Sequence, residues 1–267
     1  MGLAMKEPGK RRKLSRRHFL AAAVLCSPLL AFGEAKWIEP NWVKVRRMRL
    51  SPGKPTHRLV HFTDVHHKGD CAYFQSVVKT INALSPDVVC FTGDLIEETK
   101  HLTEALQILA GIKAPVYGVP GNHDYWSKAP FEQIAKTFAA TGGRWLVDEQ
   151  GTTPDGRFNF VGLACLSSKQ APIRTEAVPL NVVLMHYPAW VENLGGQPFT
   201  LLLAGHSHGG QVRIPFYGPV FVPFGVGRYV MGSYRTSSGP LYVNPGIGWF
   251  PMPIRFNCRP EITVFEM

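Results

Sequence analysis

Cysteine is scarce in this chain of 267 residues: there are five, with no CxxC pair and no zinc-finger spacing. A thiolate metal cluster is therefore not in view, and Cys90 and Cys165, which lie in apolar runs, read as small buried hydrophobes. Acidic residues are also few, 19 against 29 Lys and Arg, a net charge of +10. Seven of the basic residues fall in the first 35 positions, where only Glu7 and Glu34 oppose them, so half of the excess belongs to a leader. What remains is mild. It favours an anionic ligand or surface and lacks the basic stripe with interleaved aromatics of a nucleic-acid binder. Internal repeats are missing as well, and 45% hydrophobic composition suits one large domain with a real core.

Within the leader, Lys10-Arg11-Arg12-Lys13 and Arg16-Arg17 precede an apolar stretch from Phe19 to Phe32. That stretch is short for a membrane span and about the length of a signal h-region. Ser15-Arg16-Arg17-His18-Phe19-Leu20 resembles a twin-arginine export signal, with Ala31-Phe32-Gly33 or Gly33-Glu34-Ala35 as cleavage site. The competing reading is an uncleaved membrane helix with a basic cytoplasmic flank. These features predict a signal or anchor over 1–35, a lead-in strand and linker over 36–56, and a catalytic domain over 57–267. They also predict handling by the twin-arginine machinery and a domain in the periplasm or on the outer face of the inner membrane, membrane-associated.

Apolar periodicity predicts strands at 58–63, 87–92 and 116–119 alternating with helices at 73–84, 102–110 and 131–140. Such alternation implies a largely parallel, buried sheet. The second half reads as strands at 158–163, 182–185, 201–204, 212–214, 220–222, 241–243 and 262–265, with a short helix near Trp190 to Leu194. These are expected to form a second sheet facing the first, in an α/β sandwich.

Five short motifs stand at or just past the ends of apolar runs: Asp64-Val65-His66, Gly93-Asp94, Gly121-Asn122-His123-Asp124, His186, and Gly205-His206-Ser207-His208. Each is ambiguous alone. An aspartate after a strand is often a turn or helix cap, Asn-His is an ordinary turn pair, and His186 would serve as a core histidine. The two histidines at i and i+2 between glycines have little structural reason to exist, so metal ligation is the better reading there. Together the motifs supply seven oxygen or nitrogen ligands and one spare histidine, enough for two divalent cations and a phosphoester.

In this order, the motifs resemble those of the calcineurin-like metallophosphoesterase superfamily from Asp64 to His208. Gly205 to Gln211, Asn244-Pro245-Gly246 and the tail Asn257-Cys258-Arg259-Pro260-Glu261 resemble its YaeI/YkuE-type phosphodiesterase branch. That branch is also similar to UDP-2,3-diacylglucosamine pyrophosphatases of the chlamydial type. The resemblance implies a four-layer α/β/β/α sandwich of two mixed sheets. It implies one cation on Asp64, His66 and His208, another on Asn122, His186 and His206, and Asp94 between them. The oxygen and nitrogen donors suit manganese, iron or zinc. His123 is implied as general acid or phosphoryl donor. Many relatives orient it with an aspartate where this chain carries Glu97, which leaves that support open.

For substrate contacts the sequence offers Arg213, Arg228, Arg255 and Arg259, with Arg259 favoured by the tail, and His67, which would line the site or face solvent. The Phe, Val, Pro and Gly of 216–229 suit a buried hairpin or an apolar lip for acyl chains, the hairpin being preferred. The leading expectation is hydrolysis of a phosphodiester or pyrophosphate, with UDP-2,3-diacylglucosamine of lipid A synthesis or another lipid-linked envelope molecule as substrate. An exported domain argues for the envelope molecule, because the nucleotide-activated precursor is cytoplasmic. The alternative is a non-catalytic metal-binding scaffold for an envelope polymer or a partner protein.

Overall fold

The computed structural model describes residues 15–51, 53–166 and 175–267. Lys10 to Lys13 of the leader lie outside them. Helix α1 (Arg16–Gly33) starts at Ser15, whose hydroxyl accepts from the His18 amide, and contains Pro28. It runs on through helical turns to Asn41, is long and apolar enough to cross a membrane, and is almost wholly exposed. Its far end is docked: the buried Glu39 carboxylate accepts from the amides of Asn257 and Cys258.

Strand β1 (Lys44–Arg49) opens the domain and is followed by β2 (Arg58–Phe62), α2 (Cys71–Ala83), β3 (Val88–Phe91), α3 (Leu102–Leu109), β4 (Val116–Gly118), α4 (Asn122–Trp126), α5 (Phe131–Ala140) and β5 (Arg144–Trp145). The second half carries β6 (Glu149–Thr152), β7 (Phe158–Leu163), β8 (Leu180–Met185), β9 (Leu201–Ala204), β10 (Arg213–Ile214), β11 (Gly218–Pro219), β12 (Gly232–Thr236), β13 (Gly239–Val243) and β14 (Glu261–Glu266). Two six-stranded mixed sheets result, in the orders β1-β14-β2-β3-β4-β5 and β12-β13-β9-β8-β7-β6.

Side chains on successive strand residues point to opposite faces, and that alternation sorts the apolar residues into three cores. Val60, Phe62, Val89 and Phe91 face α2, α3 and α5, where Ile81, Leu109 and Phe138 meet them. Leu59, Val88 and Cys90 face the other way and pack on Phe160, Val182, Leu184 and Leu203 of the second sheet. Val183, Met185 and Leu202 cover that sheet's outer side with Val191 and Leu194, from a 3-10 segment at Pro188–Leu194. With about 1.5–3 kcal/mol from each fully buried Val, Leu or Phe, the three layers lock the two sheets together.

Three expectations are corrected. The 262–265 strand belongs to the first sheet, where β14 runs antiparallel to β2 and parallel to β1. Residues 220–222 form no strand, and the preferred hairpin reading of 216–229 fails because Phe216, Tyr217, Phe221 and Phe224 are exposed. The two-residue strands β10 and β11 make only a small ribbon there, leaving the aromatics outside. Strand β12 was illegible because its Gly-Ser-Tyr-Arg-Thr sequence at a sheet edge buries little.

Candidate dinuclear metal centre

Parallel strands in both sheets end at one rim. Asp64 follows β2, Asp94 follows β3, Asn122 opens α4 after β4, His186 directly follows β8, and His206 and His208 follow β9. Ligand sites at the carboxyl ends of such strands are where an α/β sheet leaves room for them. The loops turn abruptly: Asp64, His66, Asp94, His206 and His208 all have φ between 44° and 67°. Positive φ is uncommon for residues with a Cβ and persists where surrounding contacts impose it. Here Gly121 lies so close to the Asp94 carboxylate, and Gly205 to Thr63 and Asp64, that a Cβ at either would collide. Glycine at these points is what lets the two sheets' loops meet.

All seven expected ligands converge, in two groups. The Asp64 carboxylate lies 3.5 Å from His208 Nε2 and 3.9 Å from His66 Nε2. Asn122 Oδ1 lies 3.0 Å from His186 Nε2, which is 3.2 Å from His206 Nδ1. Asp94 Oδ2 stands between the groups, 3.5 Å from His66 Nε2 and 3.2 Å from His186 Nε2.

Outer contacts aim the rings. His186 Nδ1 donates to the Thr92 carbonyl at 2.7 Å, His206 Nε2 donates to the Phe224 carbonyl at 2.6 Å, and His66 Nδ1 is held by Glu97. In each case the second nitrogen faces the centre, the arrangement that orients a metal-bound imidazole. His66 Nε2 and His208 Nε2 lie only 2.9 Å apart, and the buried His208 Nδ1 has no hydrogen-bond partner among the described residues. Facing lone pairs with so few protons to share fit a cation.

The field has the matching sign. Burial pulls His66 and His186 down, yet the carboxylates around them, Asp64, Glu97 and Asp94 for the first and Asp94 and Asp64 for the second, raise both to about 9. Burial pushes the Asp64 and Asp94 carboxyls up, but the facing histidines hold both far below the usual range. Burial and the neighbouring His186 lower His206 to about 4, and burial also drives His208 down. A region that draws protons onto two of its histidines will draw divalent cations for the same reason.

His123 lies at the mouth beside this set. Its Nδ1 donates to Glu97 Oε2 at 3.1 Å, and its ring is flanked by Phe250 and Trp126 at centroid distances of 4.5 and 4.8 Å. Glu97 thus grips His66 with one carboxylate oxygen and His123 with the other, resolving a question the sequence left open. Against the pull of burial, these histidines keep it ionised, at about 2. Asp124, by contrast, is a backbone clamp that accepts from the amides of Asp94, Leu95 and Gly121.

The cavity here has a volume of about 280 Å³ and is lined by His66, Asn122, His123, Trp126, Phe221 and Phe250 among others. Among the described residues, no lysine or arginine lines it. Arg259 instead stacks over Trp42 at 3.7 Å and donates to the Trp42 carbonyl, which ties the lead-in segment down. Arg255 is wholly buried and donates to the carbonyls of Pro245, Gly248 and Cys258. Arg213 donates to the Gly209 carbonyl, and Arg228 lies on Tyr229. His67 turns away from the cavity toward Glu104. Gln211 went unremarked in the sequence except as part of its motif; its amide holds the Phe250–Met252 loop through the Phe250 amide and Met252 carbonyl.

Residues 57–210 match the model of the calcineurin-like phosphoesterase family. The chain belongs to that family. Over 96% of its length this phosphoesterase is 30% identical to the uncharacterized metallophosphoesterase YkuE of Bacillus subtilis, covering 98% of that protein. It is 30% identical to the phosphodiesterase YaeI of Escherichia coli, over 95% of this chain and 99% of that one. To the UDP-2,3-diacylglucosamine pyrophosphatase LpxG of Chlamydia trachomatis it is 26% identical, over 91% and 94%. Membership makes the protein a hydrolase of phosphoester bonds, and its Asp and His clusters could hold metal ions.

Proposed function

We propose that this phosphoesterase cleaves a phosphodiester or pyrophosphate in a lipid-linked molecule of the cell envelope, using two divalent cations. The observation that carries the dinuclear part is the position of Asp94 Oδ2 between His66 and His186. Asp64, His66 and His208 would hold one cation, Asn122, His186 and His206 the other, with Asp94 shared. When bound, such a pair neutralises phosphoryl oxygens and acidifies water for in-line attack; manganese, iron or zinc would suit the donors.

The chain's own groups do the rest. His123 presents the ring nitrogen that Glu97 does not hold and delivers a proton to the departing oxygen, while Glu97 keeps the ring oriented. Phe250, Trp126 and Phe221 exclude water beside it. Since no lysine or arginine among the described residues lines the cavity, recognition of phosphate would rest on the metal centre and His123.

The lipid part is supported by the exposed aromatics of 216–224, Phe216, Tyr217, Phe221 and Phe224, of which Phe221 lines the cavity, and by the exposed apolar helix α1. Retained as an anchor, such a helix would keep the domain at a membrane surface; as an export signal with the Arg16-Arg17 motif, it would deliver the domain to the periplasmic side.

Turnover of bis-p-nitrophenyl phosphate against p-nitrophenyl phosphate tests the reaction class. Diester turnover, abolished by chelation and restored by manganese, is expected; exclusive monoester turnover overturns it. Assaying UDP-2,3-diacylglucosamine separates the nucleotide-lipid substrate from other envelope lipids. Less than one metal per chain with no hydrolysis under manganese would leave the scaffold reading.

A further inference from the structure

A second group of side chains that could hold a metal ion lies outside the cavity lining, at His67. His67 Nε2 is 3.0 Å from Glu104 Oε2, and His101 Nδ1 is 3.7 Å from the same oxygen. The Cys71 thiol donates to the other oxygen, Glu104 Oε1. Ligand atoms of His67, Cys71 and Glu104 all lie within 4.8 Å of one another. The His67 and His101 rings meet edge to face with centroids 5.9 Å apart.

We propose that His67, Cys71, His101 and Glu104 form a separate mononuclear zinc site. Two imidazole nitrogens, one thiolate and one carboxylate make a tetrahedral donor set typical of zinc, and the sulfur disfavours magnesium and calcium. With metal–nitrogen and metal–oxygen bonds of about 2.1 Å, tetrahedral neighbours sit roughly 3.4 Å apart. The two histidine–carboxylate distances fall on either side of that value, so small side-chain rotations complete the site. Neutral imidazoles, one thiolate and one carboxylate balance a divalent cation; on binding, the thiol proton that now points at Glu104 leaves to solvent.

The backbone supports the arrangement. His67 is tied to the next strand end by its amide, which donates to the Leu95 carbonyl at 2.9 Å. Gly69, at φ +97°, turns the chain between His67 and Cys71, and a Cβ there would lie 3.2 Å from the His101 ring. Cys71 is the first residue of α2, and His101 and Glu104 lie at the start of α3, so partial positive charge from two helix ends favours the anionic donors. Cys71 and Glu104 also line a groove between α2 and α3 that gives an ion access. An ion here would pin the two helices to the loop whose preceding residue is His66.

The dinuclear clusters contain no cysteine, which makes a thiolate signal diagnostic. Loaded with cobalt(II) under reducing conditions, the full-length protein is expected to show a thiolate-to-cobalt charge-transfer band in the near ultraviolet. Cys71→Ser should abolish that band, and the zinc-loaded protein should then hold one equivalent less metal by mass spectrometry. His101→Gln, a milder change at a partly buried ring, should weaken zinc retention at least ~10-fold while circular dichroism verifies folding. A missing band, a band that survives Cys71→Ser, or equal metal content and retention in wild type and both variants would overturn the site.

Discussion

Glu97 is the residue on which the reaction centre's preparation turns, because its two oxygens hold histidines with different tasks. Glutamine there keeps one acceptor oxygen and puts an NH₂ group in place of the other, so one of the two rings loses the acceptor that fixes its orientation and tautomer. Glu97→Gln is expected to lower kcat toward a diester by ~10–100-fold, with Glu97→Asp retaining more activity; steady-state kinetics on the metal-loaded protein checks both. At the same scale, His61 is fully buried with Nε2 on Thr92 Oγ1, and burial lowers it to about 3. A neutral buried histidine resists protonation, whereas its unfolded counterpart accepts a proton below about pH 6.5. Unfolding therefore becomes easier as pH falls from about 6.5 toward 3, by up to ~1.4 kcal/mol per pH unit, and the stability is fully present above that window. Denaturant titrations across that range should show a shallower slope in His61→Gln.

Among the elements, the loops after β3 and β4 are joined by one side chain. Asp124, in the first turn of α4, receives the amides of Asp94, Leu95 and Gly121 at 2.8–2.9 Å. Asparagine offers one oxygen where the carboxylate offers two, so at least one amide would face an NH₂ group. Asp124→Asn should destabilise the fold by about 2–4 kcal/mol and weaken metal retention, read as a lower melting temperature and lower bound metal. The strand ends themselves were legible in the sequence, because residues such as Val88 to Phe91 are buried on both faces and read as unbroken apolar runs. Edge strands were not: β12 and β6 bury little, so their composition resembles that of loops. The placement of β14 was also hidden, since which sheet a strand joins depends on partners such as His61 and Val60, some two hundred residues away.

For the whole molecule, the proposed approach to a membrane rests on the exposed aromatics of 216–224 and on α1. Phe216 and Tyr217 are exposed to solvent and lie outside the cavity lining. Replacing both with serine should leave hydrolysis of a soluble diester unchanged and lower turnover of a vesicle-borne lipid diester by roughly tenfold or more, as lost apolar burial of a few kcal/mol predicts. Equal loss on both substrates would deny the lip a role in lipid approach.

Sequence by itself determined the ligand types, their order and their places past strand ends, because an apolar run, a glycine-permitted turn and a donor residue are encoded within a few positions. Tertiary structure alone decided which nitrogen of each histidine faces the centre, that Glu97 serves two rings, and that Arg259 packs on Trp42 while His67 joins Cys71 and Glu104. It also decided that the 216–229 aromatics stay outside. Each of these depends on contacts between segments far apart in the chain, where packing and charge, rather than local pattern, choose the partner.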